Sequence, residues 1–468
     1  MVVMKFGGSS LAGAGLLRNM TEIVKTRIKQ KPILVLSALG DTTDHLLESA
    51  STALNKGFVS IEKIEDFHLK TIEDLALGAE LQKEIKNLLW ELGSLLTGIS
   101  LTRELTGRTK DYLVSFGERI SVRIASAYMN SQKINARALD AWDAGFVSDS
   151  AFGQAELRKE SYIRIASSLR SLTAEGILPV IAGFIAKDED GNITTLGRGG
   201  SDLSATVIAA ACKAVEVQIW KDVDGILTAD PRLVKEARPV ELVSYDEAAE
   251  LAYFGAQVLH PRAMQPCIKT GIPVLVKNSF NPAAPGTRIE SGPIQNTPMI
   301  RAITGKKNVT LVDIVSTRML GQSGFLARVF SEFAKNGISI DMIATSEVSV
   351  SLTLDAERDL STVCRELSEY AGVEVKTGKA IITIIGDVCR SSEILCETFG
   401  ICRKLGFQVP MVSQGASKVN ISFIVNDNEA DTIIKELHGF FFMETKPKKP
   451  PGMKRTCGPS VRECKEII

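Results

Sequence analysis

Apolar residues in the first third of the chain follow the patterns of alternating strands and helices. An apolar run at 2–6 is interrupted by Gly-Gly-Ser-Ser, and apolar residues then recur at helical spacing over 16–28. A second apolar run at 33–37 completes a strand–helix–strand unit, which at this length predicts parallel strands in an α/β sheet. Residues 61–105 are rich in Leu, Ile, Glu and Lys at helical spacing and predict two or three amphipathic helices.

The α/β pattern resumes further along the chain. It predicts a buried strand at 174–184, a turn at 188–192, a helix at 201–212 and strands at 217–220 and 272–277. The strand at 272–277 is expected to be the last of this domain. The Pro- and Gly-containing segment that follows it, 281–286, is expected to be the exit.

From about residue 299 the elements become shorter and their order repeats. A βαββαβ unit is predicted over 299–385 and a second over 380–442, where the closing strand is missing. Residues 299–303 could supply that strand, which would interleave the two units. The Pro- and Lys-rich tail at 443–468 is predicted to be disordered, with its basic run a solvated terminus rather than a site for an anionic partner.

Composition narrows the function classes. Lys plus Arg and Asp plus Glu both number 55, so the balanced charge gives no reason to expect nucleic acid or an anionic membrane as partner. The longest apolar runs are too short to span a bilayer. The N-terminus shows no signal or transit segment, so we expect the cytoplasm, or the plastid stroma if a transit peptide is missing from the sequence. The eight cysteines lack zinc-like spacing and the four histidines form no HExxH, so no protein-held metal site is predicted.

Two glycine-containing segments lie where a strand ends and a helix follows. In KFGGS (residues 5–9), glycine N–H groups can approach an anion and Lys5 adds a charge, although Gly-Gly turns after strands are common. In TTLGRGGSD (residues 194–202), Arg198 offers a planar fork for a carboxylate, and the loop amides with Ser201 would hold the rest of a substrate. The alternative for this second segment is that Ser201 or Asp202 only caps the helix.

Two further segments carry candidate chemistry. WKDVDG (220–225) with DPR (230–232) fits a nucleotide site, in which a carboxylate takes ribose hydroxyls and Arg232 takes phosphate, or else a plain hairpin. Glu118, in FGER (116–119), could bind a substrate ammonium group or could act only as a helix-dipole partner. Thr43, which follows the strand at 33–37, is a comparable candidate.

Taken together and in this order, the motifs resemble those of the aspartokinases, members of the amino acid kinase superfamily. KFGGSS, FGE, TTLGRGGSD, WKDVDG with DPR, AELAYFGAQVLHPR, and STRMLG followed by GFL carry the resemblance, which covers about residues 1–440 and is nearest to the plant-type, lysine-sensitive branch. It implies an amino acid kinase-type three-layer α/β domain with a mostly parallel sheet over 1–290, followed by two interleaved ACT-like units. It also implies phosphoryl transfer from ATP to the β-carboxylate of L-aspartate, giving 4-phospho-L-aspartate, the first step towards lysine, threonine and methionine.

The resemblance assigns roles residue by residue. The catalytic positions are Lys5 and Asp202. Aspartate would be bound by Thr43, Glu118, Arg198, Gly199, Gly200 and Ser201. ATP would be bound by Lys5, Phe6, Gly7, Gly8, Lys221, Asp222 and Arg232. Leu227 and Gln257 depart from the residues that many family members carry, so no adenine contact is assigned to them.

The implied chemistry needs no strong general base, because the β-carboxylate is already ionised at neutral pH. Catalysis then depends on alignment and charge neutralisation along the in-line path. Lys5 would neutralise charge on the transferred phosphoryl group, and Mg²⁺, which accompanies ATP as cofactor, would bridge phosphate oxygens. Asp202 would orient Lys5 or the Mg²⁺ waters.

The ACT-like units imply feedback control by an amino acid, with lysine as the expected effector, and at least a homodimer. The implied effector positions are Met319, Gln322, Phe325, Leu326, Asp341, Thr345, Ser346 and Glu347. Three other functions are compatible with parts of the pattern: another amino acid kinase, a non-catalytic amino-acid sensor with a retired kinase domain, and a dehydrogenase. The last is disfavoured because no GxGxxG follows the first strand.

Overall fold

The structure is a computed structural model that describes residues 1–253, 259–292, 298–316, 323–355, 359–387, 390–414 and 420–443. The chain divides into two compact units. The first unit comprises the described residues within Met1–Leu227, Pro239–Tyr253 and Gln257–Gln295, and the second comprises those within Thr228–Arg238 and Asn296–Ile468.

The first unit is built on a mostly parallel sheet. Its strands are β1 (Val3–Phe6), β2 (Ile33–Leu36), β3 (Ala136–Leu139), β4 (Leu178–Ala182), β5 (Ile185–Lys187), β6 (Ile193–Thr195), β7 (Val217–Lys221), β8 (Leu242–Ser244), β9 (Val274–Asn278) and β10 (Thr287–Glu290). The sheet order is β3-β4-β2-β1-β7-β9-β10-β8, with only the β9–β10 pair antiparallel, and β5 and β6 form a separate hairpin. Every residue of β1, β2 and β4 is buried, as expected for parallel strands covered on both faces.

Helices connect these strands and cover the sheet. They are α1 (Ala14–Arg27), α2 (Thr42–Lys56), α3 (Glu62–Asp74), α4 (Ala79–Thr102), α5 (Gly107–Ser131), α6 (Glu160–Ala174), α7 (Gly200–Cys212), α8 (Tyr245–Tyr253) and α9 (Pro261–Thr270). Helices α3 and α4 confirm the prediction for residues 61–105. Helix α7 is almost wholly buried, which explains its run of Ser, Ala, Val and Ile. Within the described residues, no helix has the length and apolar character needed to cross a membrane.

Two strand predictions in this unit were wrong in their limits. The run at 174–184 contains β4 only at Leu178–Ala182, because α6 continues to Ala174 and a turn with Gly176 at φ +76° follows. The strand at 272–277 is not the last. After Gly286, at φ +78°, the chain turns back into β10, which pairs with β9 and β8.

The second unit is an antiparallel sheet with helices. Its elements are β11 (Ile300–Val315), α10 (Phe325–Lys335), β12 (Met342–Thr345), β13 (Ser349–Asp355), α11 (Ser361–Ser368), β14 (Gly372–Gly386), α12 (Ser391–Lys404), β15 (Met411–Ser413), β16 (Asn420–Asn426) and α13 (Asp427–His438). The sheet order is β12-β13-β11-β14-β16-β15. Residues 444–468, where disorder was predicted, lie outside the described residues.

The predicted interleaving of the two βαββαβ units is confirmed. The first part of β11 pairs with the end of β14, from Ile300 opposite Gly386 to Lys306 opposite Ile381. After an irregularity at 306–309, the rest of β11 pairs with β13 and with the beginning of β14. Each long strand therefore serves both repeats, and residues 299–303 do supply the closing strand of the second.

Candidate active site at the carboxyl ends of the parallel strands

A cavity of about 720 Å³ opens at the carboxyl ends of β1, β2 and β4. This edge of a parallel sheet is where α/β proteins bind small ligands. Of the residues predicted to form the site, those that line the cavity are Lys5, Gly8, Thr43, Glu118, Arg198, Gly199, Gly200, Ser201 and Asp202. Segments far apart in the sequence therefore converge on one space.

Lys5 and Asp202 form a buried ion pair in this cavity. Nζ of Lys5 lies 2.6 Å from Oδ1 of Asp202, and both side chains are 7% exposed. Lys5 projects from β1, whereas Asp202 stands in the first turn of α7, where the helix dipole favours a negative charge. A lysine charge is thus held at a fixed place at the end of β1.

The glycine loop after β1 is held against the loop after β2. A side chain on Gly8 would meet the carbonyl oxygen of Gly40 at 2.8 Å, so only glycine fits there. The N–H of Gly7 donates to the carbonyl oxygen of Trp220 at 3.3 Å. Phe6 is fully buried and stacks on Trp220, with ring centroids 5.8 Å apart. Phe6 and Gly7 do not line the cavity, although their neighbours Lys5 and Gly8 do.

Glu118 brings a carboxylate into the cavity from α5. It is 3% exposed, and burial raises its pKa to about 8, against opposing hydrogen bonds from the backbone of Ala38 and of Glu118 itself and the charge of Lys5. Gly117 allows this close approach, because a side chain there would meet Cβ of Ala38 at 2.7 Å. In the part of the chain that the structure describes, Oε2 of Glu118 has no hydrogen-bond partner. A buried oxygen without a partner is costly, so this atom is placed to accept from a ligand.

The loop before α7 supplies the opposite charge. Arg198 is exposed in this loop and, among the described residues, has no carboxylate partner. Gly199 adopts φ +72°, and a side chain on Gly200 would meet the Phe184 ring at 2.6 Å. The loop can therefore approach a ligand with its backbone, as expected for the glycines in this segment.

Hydroxyl groups complete the rim of the cavity. Oγ of Ser37 donates to Oγ of Ser201 at 3.1 Å, which joins the loop after β2 to α7. Thr43 lies in the first turn of α2, and its neighbour Thr42 donates to the carbonyl oxygen of Leu39 at 2.5 Å and contacts the His68 ring at 3.4 Å. Burial lowers the pKa of His68 to about 4, so this ring is neutral at physiological pH and serves as a structural support.

The residues assigned to the nucleotide have different surroundings. Lys221 ends β7, and burial lowers its pKa, an effect to which the nearby charge of Lys5 adds and which Asp202 and Asp222 oppose. Its ammonium group therefore shares the electrostatic field of the Lys5–Asp202 pair. Arg232 belongs to the second unit, where its side chain is 87% exposed and pairs with Asp230 at 2.7 Å. Lys221, Asp222 and Arg232 are not among the cavity-lining residues.

Asp111, which also lines the cavity, was not among the residues predicted from the sequence. Its carboxylate accepts hydrogen bonds from Gly153 N–H, Thr195 N–H and the Thr195 hydroxyl, all at 2.8–2.9 Å. Burial raises its pKa, and these hydrogen bonds oppose that effect. The only available signal was its spacing of seven residues before Glu118, which places both carboxylates on one face of α5.

The predicted effector positions lie in the second unit. Phe325 and Leu326 begin α10, and the Phe325 ring packs edge-on against Tyr370 at 5.9 Å. The Asp341 side chain is 5% exposed and pairs with Nζ of Lys306 at 2.6 Å; that ammonium also lies 2.8 Å from Asp355.

The remaining effector positions are less enclosed. Thr345 ends β12, the Ser346 hydroxyl lies 2.7 Å from that of Ser349, and Glu347 is exposed. The effector positions Met319 and Gln322 fall outside the described residues, as does Gln257, to which no role is assigned.

Comparison with known proteins shows which families the chain matches. The model of the amino acid kinase family matches residues 1–278, and that of the ACT domain matches 312–369 and 382–441. The chain is 46% identical over 457 residues to aspartokinase 1, chloroplastic, of Arabidopsis thaliana, a match that covers 94% of this chain and 80% of the relative.

Solved structures of an aspartokinase are similar to this chain over nearly its whole length. The chain is similar to E. coli aspartokinase III in complex with aspartate and ADP in its R-state, with a TM-score of 0.79 and 33% identity over 95% of this chain and 100% of the other. The T-state of that protein, in complex with lysine and aspartate, matches with a TM-score of 0.76 and 33% identity, over 94% of this chain and 99% of the other.

Proposed function

The chain belongs to the aspartokinases of the amino acid kinase family, and on this premise we propose how its own residues perform the reaction. The protein is an aspartate kinase, which transfers a phosphoryl group from ATP to the β-carboxylate of L-aspartate. We assign the acceptor and the transferred phosphoryl group to the cavity at the ends of β1, β2 and β4.

Aspartate is held through its charges. The observation that carries this assignment is that Oε2 of Glu118 has no hydrogen-bond partner among the described residues, in a cavity that also contains Arg198. Glu118 accepts from the substrate ammonium group, and Arg198 forms a charge-assisted fork with a substrate carboxylate. Thr43, Ser201 and the amides of Gly199 and Gly200 position the rest of the molecule.

Transfer proceeds by alignment and charge neutralisation, because the nucleophile is already an anion. Lys5 stabilises the charge on the transferred phosphoryl group from its fixed position beside Asp202. Asp202 acts by orienting the Lys5 ammonium group rather than by removing a proton. Gly8 leaves room for the backbone to approach the phosphates.

The nucleotide is assigned to the opposite end of the reaction path. Lys221 ends β7 and Asp222 follows it. Lys221, whose pKa responds to the charges of Lys5 and Asp202, would bind phosphate, and Asp222 would bind ribose. Phe6, Gly7 and Arg232 remain predicted contacts of the nucleotide. No role in adenine binding is given to Leu227 or Gln257.

Mg²⁺ would arrive with ATP. Among the described residues no cluster of three His, Cys, Asp or Glu side chains could hold a metal ion. The ion would be held chiefly by phosphate oxygens and water, and Asp202 is a candidate carboxylate for it. When bound, the ion neutralises phosphate charge.

Lysine is the proposed effector, on the basis of similarity to a protein solved in complex with lysine. The effector would lie at the first ACT repeat, with its carboxylate at the N-terminus of α10 near Phe325 and Leu326. Asp341 and Glu347 would take ammonium groups, with Thr345, Ser346, Met319 and Gln322 as further contacts. ACT repeats also favour assembly as a homodimer or larger. For the compartment, the chloroplastic name of the Arabidopsis relative favours the plastid stroma over the cytoplasm.

Substrate analogues test the assignment of Glu118. Succinate has both carboxylates of aspartate and no ammonium group, so a site that pairs Glu118 with the ammonium group discriminates strongly against it. We expect the preference for aspartate over succinate, measured as the ratio of the inhibition constant of succinate to the KM of aspartate, to shrink in Glu118→Gln. An unchanged preference would remove Glu118 from ammonium recognition.

A further inference from the structure

Asp111 ties together three segments that line the active-site cavity. It lies on α5 and is 2% exposed. One carboxylate oxygen accepts the N–H groups of Gly153 and Thr195, each at 2.8 Å, and the other accepts the Thr195 hydroxyl at 2.9 Å. Helix α5, the loop at 148–157 and strand β6 are thereby joined at a single side chain.

The three hydrogen bonds described for this carboxylate all come from neutral donors. No Lys, Arg or His forms an ion pair with Asp111 in the described ranges of the chain. Burying an unpaired charge is costly, whereas several N–H and O–H donors converging on it create short, directional bonds. Such an arrangement fixes the geometry of the segments more tightly than a neutral side chain would.

The two charged residues proposed to bind aspartate, Glu118 and Arg198, lie on or next to these segments. Glu118 follows Asp111 by seven residues on α5, about two helical turns or ~10.5 Å along the axis. Arg198 follows Thr195 by three residues. Asp111 also binds Gly153, whose carbonyl oxygen would lie 3.1 Å from a Cβ atom placed on Gly197. Asp111 therefore connects the element that holds the ammonium acceptor to the loop that holds the carboxylate fork.

We propose that Asp111 is a positioning residue that sets the distance between Glu118 and Arg198. With Glu118 on the ammonium group and Arg198 on the β-carboxylate, this distance selects aspartate over glutamate, whose side-chain carboxylate lies one methylene further from its ammonium group. The inference rests on the proposed roles of Glu118 and Arg198. One methylene alone alters binding by about 10- to 200-fold, and a displacement of about 1 Å at a reacting group can cost ~100-fold in rate. A fixed distance between Glu118 and Arg198 is therefore enough to distinguish the two acids.

Asp111→Asn is the test variant. Asparagine keeps one acceptor oxygen but turns an NH₂ group towards the donors. The distance between Glu118 and Arg198 is then held less tightly. We expect the KM for aspartate to rise about tenfold, the KM for ATP to stay within about twofold, and the aspartate-over-glutamate ratio of kcat/KM to fall about tenfold. Thr195→Val removes only the hydroxyl donor and should shift the same ratio in the same direction by less. It also serves if Asp111→Asn does not fold.

Asp188→Asn is the matched control. Asp188 is 5% exposed and accepts three comparable bonds, from Asn192 N–H, Asn192 Nδ2 and the Ser150 hydroxyl, at the far end of the β5–β6 hairpin. It does not bind α5, so its variant should lose stability without changing the acid selectivity. An unchanged ratio in both Asp111→Asn and Thr195→Val, or an equal change in Asp188→Asn, overturns the inference.

The roles of Glu118 and Arg198 are measured separately in the same assay. If Glu118→Gln and Arg198→Ala leave the KM for aspartate unchanged, the proposed roles fail. If they raise it while Asp111→Asn leaves the selectivity intact, only the inference about Asp111 fails.

Discussion

Nζ of Lys5 lies 2.6 Å from Oδ1 of Asp202, and this buried pair joins the two glycine motifs, which lie far apart in the sequence of the catalytic domain. The pairing gives each residue a definite task. Asp202 holds the lysine ammonium group in position at the end of β1, and Lys5 compensates the carboxylate at the start of α7.

Lys5→Met removes the charge that faces the transferred phosphoryl group. We expect kcat to fall roughly 10²- to 10³-fold, as when a single transition-state donor is removed. The fold should also weaken by about 3–5 kcal/mol, because a buried Asp202 is left unpaired. Steady-state kinetics and thermal unfolding measure the two effects.

The double variant Lys5→Met/Asp202→Asn separates catalysis from stability. Replacing both partners by neutral groups should restore much of the unfolding temperature and leave kcat low. If the single Lys5 variant keeps the wild-type kcat, Lys5 has no part in transfer.

Glu118→Gln should stabilise the ligand-free protein by an amount that depends on pH. The folded pKa of Glu118 is raised from 4.5 to about 8 by burial, so the protonated form is favoured in the fold. Its stabilising contribution is full below about pH 4.5 and is lost as pH rises through about 8. Glutamine imitates the protonated form, so the difference in Tm between variant and wild type should grow from pH 5.5 to pH 8.5.

Asp188→Asn again supplies the control for this measurement. Hydrogen bonds from Asn192 and Ser150 outweigh burial and lower the pKa of Asp188 below its ordinary 3.8, outside that pH range. Its Tm difference should therefore stay constant. A constant difference for Glu118→Gln as well would contradict the raised pKa.

Arg198→Ala tests the carboxylate fork. Since no described carboxylate pairs with Arg198, the fold should tolerate its loss. We expect the KM for aspartate to rise roughly 10- to 100-fold, the equivalent of about 1.5–3 kcal/mol for a charge-assisted hydrogen bond. The KM for ATP should change little. Arg108→Ala, an exposed arginine at the start of α5 that does not line the cavity, is the comparison. Equal effects of the two variants would rule out the fork.

The sequence predicted the elements that carry local signals. Apolar runs that alternate with segments of helical spacing indicated the parallel sheet. The glycine loops after β1 and before α7 were predicted where the structure has them, because both need small residues where backbone segments approach closely. The repeat in the second unit was recognised because its order of elements recurs, and the structure confirms the shared strands β11 and β14.

What the sequence missed depends on distant contacts. Asp111 is one acidic residue in a helix, and its importance comes from partners 42 and 84 residues away. Strand β10 was not predicted, because the preceding segment 281–286, with its two prolines, was interpreted as the exit from the domain. Only the pairing of β10 with β8 and β9 reveals it. The pairing of Asp341 with Lys306, between residues 35 positions apart, likewise leaves no local pattern.

Lys306→Gln tests the effector site. The Lys306 ammonium group lies 2.6 Å from the Asp341 carboxylate that is proposed to bind an effector ammonium group, so the two cations compete. Removing Lys306 should lower the lysine concentration for half-inhibition about tenfold, which corresponds to about 1.4 kcal/mol, within the range of a hydrogen bond to a charged group. Inhibition curves of the two proteins give this value.

Lys307→Gln is the neighbouring control. It breaks the 2.8 Å pair with Asp431 and leaves Asp341 untouched, so lysine inhibition should be unaltered. If lysine inhibits Lys306→Gln and Asp341→Asn as it inhibits the wild type, Asp341 is not an effector contact.

The central claim is tested most directly by forming aspartyl phosphate from ATP, Mg²⁺ and aspartate and trapping it as the hydroxamate, with and without millimolar lysine. We predict hydroxamate formation that depends on all three components and that lysine suppresses. Formation that lysine does not affect would keep the kinase and overturn the proposed effector. A folded protein that binds lysine but forms no hydroxamate would contradict the catalytic account and favour a sensor with a retired kinase domain.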